Sequence, residues 1–171
     1  KNSAGNIELR WLKTSLAQNP NDLTIALKTA RRYIEIGRKQ SDPRYAGYAQ
    51  AALAPWWKRA DAPLEVRILR ATLAQSTHQF DAALTELNDI LKIDKTHPQA
   101  WLTRASILQV QGRYAEAMTS CRALTRISSP LVVHMCITGI ASLSGFAQPS
   151  YQQLTEAYAQ YGKAEAELSA W

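Results

Sequence analysis

Two stretches of the chain superpose at an offset of 34 residues. Phe80-Asp81-Ala82-Ala83 falls on Tyr114-Ala115-Glu116-Ala117, Arg70-Ala71 on Arg104-Ala105, and Ile90 on Leu124. A fixed period of this length, with helical spacing inside each copy, commits a chain to stacked helix pairs. One pair cannot cover its own apolar face, so the pairs must build an array. Such arrays bind more often than they catalyse, so function has to be sought on their surfaces.

The best copy spans residues 98–130. Pro98 opens a helix, where its missing N–H costs nothing. Trp101, Ala105 and Leu108 follow at spacings of four and three and share one face. Gly112 stops this helix, and a second carries Tyr114, Ala117, Cys121 and Leu124, again on one face. Ser128-Ser129-Pro130 ends it. Trp101, Ala105, Ala117 and Leu124 are therefore expected to be largely buried.

This pattern resembles the tetratricopeptide repeat, which Trp101, Ala105, Gly112, Tyr114 and Ala117 match. Arg104 replaces the usual leucine, Cys121 a large aromatic and Leu124 an alanine. Gly-Arg-Tyr-Ala-Glu-Ala at 112–117 is close to the family's signature turn. Physically, Ala105 and Ala117 let two antiparallel helices approach, while large residues bury against the next repeat.

Residues 64–97 fit the same template through Ala71, Phe80, Ala83, Leu87 and Ile90, with His78 standing where Gly112 stands. Upstream the pattern loosens. Leu23 to Gly37 reads as a helix capped by Asn21 or Asp22 and ended by Gly37. Ser41-Asp42-Pro43 reads as a cap followed by a first-turn proline, so about six residues are inserted in this turn relative to the family template. Asn6 to Gln18 reads as one more helix, striped by Leu9, Leu12 and Leu16, with Trp11 at the edge. Leu131 to Ser144 and Pro149 to Tyr161 form a degenerate pair around Gly145, with Gly139 in the small-residue place. Lys163 onward reads as a helix cut short at Trp171. The expected fold is all-α: one right-handed superhelical solenoid over 1–171, with partial or degenerate repeats at 6–22, 23–54 and 131–161, and both ends inside the array.

A closer likeness is carried by 30–37, 42–53 and Ala54-Pro-Trp-Trp57. These segments resemble tetratricopeptide proteins of Gram-negative bacteria that look exported. The resemblance implies a periplasmic or otherwise exported compartment, with cytoplasmic as the alternative, and names no activity.

No strand-like alternation occurs, and no apolar run reaches the roughly 18 residues a membrane span requires. Leu131 to Phe146 comes nearest, interrupted by His134, Thr138, Ser142 and Ser144. The net charge is +6, and it is uneven: residues 1–70 hold 13 Lys/Arg against 6 Asp/Glu. Lys28, Arg31, Arg32, Arg38, Lys39 and Arg44 lie close in sequence. Their spacing spreads them around the helix instead of along one stripe. That favours a solvated face over a polyanion site, although a basic nucleic-acid-binding solenoid stays as an alternative.

Catalytic signatures are missing. There is no Gly-rich phosphate loop, Gly-x-Ser-x-Gly elbow or His-Glu-x-x-His helix. His78 and His97 fall in turns. His134 and Cys136, with Cys121, lack the paired spacing of a structural zinc site, so no metal, cofactor or enzymatic activity is expected. Arg70 and Arg104 share one phase in successive copies. They are read as arginines whose stems pack while their heads find a carboxylate or carbonyl. Trp56 and Trp57 are read as stapling a linker onto neighbouring helices.

The expected function is a protein-interaction scaffold, with an accessory domain of a larger enzyme or membrane-associated assembly as a further alternative. In the family, the inner groove is lined by first-helix residues off the packing face. Here these are Glu65, Ile68, Thr72 and Gln75, then Gln99, Leu102, Ser106 and Gln109, with Arg31 upstream. The family's clamp for chaperone C-termini uses Lys and Asn four residues apart on this face. Ile68 with Thr72, and Leu102 with Ser106, stand in those places, so that capture is not expected.

Cys121 lies seven residues before Ser128, and Cys136 seven after Ser129. Equal distances from an antiparallel turn put both at one height. A disulfide is the reading placed first, and two buried thiols in an interhelix seam are the alternative.

Overall fold

The periodic segments fold as helices, and no strand occurs among the described residues. The structure is a computed structural model that describes residues 4–162. The helix expected from Lys163 onward lies outside them. The backbone divides into two compact units, Lys1–Gln79 and Phe80–Trp171.

The first unit holds α1 (Ala4–Gln18), α2 (Leu23–Gln40), α3 (Arg44–Ala52), α4 (Ala54–Trp57) and α5 (Leu64–Ser76). Asp22 caps α2, its carboxylate accepting from the Ile25 N–H at 3.0 Å. That satisfies one of the four donors every helix start leaves open. Gly37 does not end this helix, contrary to its reading as a stop. α2 runs on to Gln40 and ends at Ser41, which adopts the left-handed conformation at φ 52°. Gly37 serves close approach instead. A Cβ built there would lie 2.9 Å from the Tyr45 Cβ. Pro43 takes the position just before α3, and the Asp42 carboxylate accepts from the Arg44 N–H at 3.0 Å.

Ala26, Ala30, Ala49 and Ala52 are small enough to let α2 and α3 close on one another. Leu53, Trp56, Val66, Leu69 and Leu73 fill the space they leave. Each large side chain taken fully from water is worth about 1.5–3 kcal/mol. Trp56 is buried and Trp57 partly buried, so the linker is a short helix stapled to the core.

The second unit holds α6 (Phe80–Ile93), α7 (Pro98–Val110), α8 (Tyr114–Ala123), α9 (Pro130–Ala141) and α10 (Ala147–Tyr161). Ala105 and Ala117 are buried between α7 and α8, with Leu108 and Cys121 beside them. Leu124 is buried in a tight 3₁₀ turn that follows α8. Trp101, expected in the core, is only partly buried, because its indole N–H reaches out to donate to the Lys95 carbonyl at 2.8 Å. A buried indole needs such an acceptor, and this one lies at the surface. Gly139 is not a close-packing position, since a Cβ there would meet no atom within 4 Å. Ser129 caps α9, accepting from the Val132 N–H.

By length and composition, the stretch Pro130–Tyr161 is apolar enough to cross a membrane. Its backbone breaks at Gly145, with φ 96°. The result is two helices of 12 and 15 residues packed on each other. Each is shorter than the roughly 20 residues a spanning helix needs.

Candidate functional site

Gln99, Leu102, Ser106 and Gln109 recur along α7 at steps of three, four and three, so they form one stripe. Ser106 is exposed and the other three are partly buried. The Gln99 amide donates to the Thr103 hydroxyl at 3.0 Å. Behind the stripe, Ala105, Ile107 and Leu108 are buried. This face is uncharged and carries hydrogen-bonding amides and a hydroxyl.

In the first unit the expected residues separate. Arg31 and Glu65 form an exposed ion pair between α2 and α5, and Gln75 is partly buried. Ile68 and Thr72 correct the expectation: they are 3% and 5% exposed. The Thr72 hydroxyl donates to the Ile68 carbonyl at 2.9 Å, within the helix. Helical spacing had assigned both to a face. It carries no information on how much surrounding chain covers that face.

Cys121 and Cys136 form a disulfide, with Cα atoms 5.5 Å apart. It joins α8 to α9 at the height that the symmetric spacing about Ser128-Ser129 implied. Cysteine sulfurs bonded to each other cannot ligate a metal. No group of three or more His, Cys, Asp or Glu among the described residues is placed to hold one.

Against known proteins, no family model matches the chain, and no curated protein matches it. Solved structures do. A thermophilic TPR protein from Thermus thermophilus is similar over 97% of this chain and 86% of that one, with a TM-score of 0.74 at 15% identity. The chain has the tetratricopeptide-repeat fold. MamA is similar over 96% of this chain and 98% of that one, with a TM-score of 0.65 at 14% identity. A chain of the APC/C hetero-tetramer Cut9–Hcn1 is similar over 88% of this chain and 28% of that one, with a TM-score of 0.64 at 13% identity. At these identities the likeness concerns the fold alone.

Within the tetratricopeptide fold, the two phased arginines are structural. Arg70 donates to the backbone carbonyls of Trp57 at 2.9 Å and Arg59 at 3.2 Å, pinning the α4 linker. Arg104 donates to the Asn88 side-chain carbonyl at 3.0 Å and to the Ser120 hydroxyl at 2.6 Å, tying α6, α7 and α8 together. Burial lowers the Arg104 pKa, only partly offset by the attraction of Glu116. The basic cluster is laced with acids. Glu35 accepts from Lys39 at 2.6 Å and from Arg32, and both bonds hold its carboxyl below the usual range. Asp42 is held low by the guanidinium and N–H of Arg44. Carboxylates are thus interleaved with the basic side chains of this cluster.

One feature of the first unit escaped the sequence. Tyr33 of α2 meets Tyr45 and Tyr48 of α3, with ring centroids 6.0 and 5.5 Å away. Tyr45 and Tyr48 stand edge-on at 5.6 Å. Tyr45 and Tyr48 lie three residues apart on α3. The third partner needs the α2–α3 packing.

Proposed function

We propose that this chain is a non-catalytic scaffold that holds a peptide or protein partner against the first-helix face of its repeats. The observation that carries the reading is the uncharged α7 stripe of Gln99, Leu102, Ser106 and Gln109, backed by the packing of α7 on α8, in which Ala105 and Ala117 are buried. Amide and hydroxyl groups on a rigid helix can pair with a partner's backbone without the desolvation cost of charges. The similar chain in Cut9–Hcn1 works inside a hetero-tetramer, which supports the reading by analogy of fold. A periplasmic or otherwise exported compartment is part of the proposal, supported by the Cys121–Cys136 disulfide, since such bonds persist in oxidising surroundings.

The test is site-specific photo-crosslinking in native cells, with a photoreactive residue at Ser106 and, as control, at exposed Thr119 on α8. One discrete adduct from position 106, absent at 119 and lost when Leu102→Glu is added, is expected. Equal adducts at both positions, or none at 106, would overturn the proposal.

A further inference from the structure

We propose that the Tyr33–Tyr45–Tyr48 surface of the first unit is a second docking site, whose occupant is an acidic polypeptide segment carrying an aromatic or proline residue. This rests on the scaffold reading above and adds a place and a partner chemistry to it.

The cluster exists because the chain departs from its own repeat. α2 overruns to Gln40, Ser41 reverses the backbone in the left-handed region, and bare Gly37 lets Tyr45 come close. Three rings then close into a triangle, each in contact range of the other two. Tyr33 and Tyr45 are partly buried and hold the platform, while Tyr48 is 50% exposed. An exposed tyrosine ring held on such a platform offers apolar contact area at low entropic cost, which is why tyrosine recurs at the centres of interfaces.

Charge selects the partner. The described residues of the first unit carry 12 Lys/Arg and 6 Asp/Glu, whereas those of the second carry six of each. Among the described residues, the whole positive surplus therefore belongs to the unit that carries the tyrosines. Arg44 stands one turn before Tyr48 on α3, with its guanidinium bound to Asp42. Lys39 is bound to Glu35 one turn away. Exposed pairs of this kind exchange readily with a competing carboxylate. An approaching acidic segment meets a positive field, anchors on pairs it can enter, and lays an aromatic or proline ring on Tyr48.

A nucleic acid fits less well. Bases stack on open ring faces, and here the rings tilt against one another at 44°, 46° and 87°.

The test uses fluorescence anisotropy with a fluorescein-labelled random copolymer of glutamate and tyrosine, against polyglutamate of equal length and single-stranded oligothymidine. The copolymer is expected to bind about 10-fold tighter than polyglutamate, with affinity falling as salt rises. Tyr48→Ala should abolish that preference and Tyr48→Phe should keep it, with circular dichroism confirming that both variants fold. Equal binding of the two acidic polymers, an unaffected Tyr48→Ala variant, or tighter binding of oligothymidine would each overturn the proposal. Thr119→Glu, on the exposed side of α8 and outside both faces, should leave the titration unchanged. The copolymer experiment therefore sinks the tyrosine site alone, and the Ser106 crosslink sinks the α7 reading alone.

Discussion

His78 and Gly112, thirty-four residues apart, hold the same left-handed backbone, with φ 60° and 73°. Their turns also repeat the same hydrogen bonds. The Gln79 N–H donates to the Ala74 carbonyl, and the Arg113 N–H to the Leu108 carbonyl, each at 2.8 Å. A histidine can thus do a glycine's work when the helix end demands it.

It does so under strain. A Cβ at Gly112 would meet no atom within 4 Å, so Gly112→Ala is penalised by backbone conformation alone. The expected loss is about 1–2 kcal/mol. His78→Gly should be stabilising by roughly 0.5–1 kcal/mol, less than the strain relieved, because glycine also enlarges the unfolded ensemble. Urea denaturation measures both. An unchanged midpoint for Gly112→Ala would show that the turn does not need its left-handed residue.

The Cys121–Cys136 bond closes a loop of sequence separation 15, which corresponds in the chain-entropy model to about 3 kcal/mol. Dithiothreitol should lower the denaturation midpoint of the native chain and leave a Cys121→Ala/Cys136→Ala variant unmoved. Thiol titration of protein made under oxidising conditions should find no reactive thiol before reduction and two after. Two thiols before reduction would remove the disulfide, and with it the chief support for an exported compartment.

Glu35 makes a pH-dependent contribution whose sign follows from its depressed pKa. Hydrogen bonds from Lys39 and Arg32 favour its charged form in the folded state. The resulting stability is present above the unfolded glutamate pKa of about 4.3 and is lost as pH falls through the lower folded value. Glu35 and Lys39 are exposed enough for screening, so Glu35→Gln should cost only about 0.5 kcal/mol at pH 7. The difference between variant and native chain should vanish in strong acid. A difference that persists there would point to packing instead of charge.

Some of this architecture was legible because its causes are local. Pro98, Gly112 and Ser129-Pro130 mark helix ends through backbone preferences that depend on a few neighbouring residues. The disulfide was legible because an antiparallel hairpin is symmetric about its turn. Gly37 misled for the same reason: a glycine near a helix end usually terminates it, yet this one is held within α2 by the approach of Tyr45.

By itself, then, the sequence determined the helices, their pairing by small residues such as Ala105 and Ala117, and the 34-residue repeat. These follow from the 3.6-residue period and from which side chains tolerate close backbones. Only the tertiary structure decided which faces stay open. Ile68 and Thr72 have the spacing of surface residues and are buried, whereas Ser106 has the same spacing and is exposed. It also decided that Arg104 would reach Asn88 and Ser120, and that Tyr33 would join Tyr45 and Tyr48. Burial and pairing across helices depend on residues far apart in the chain, and no local preference encodes that distance.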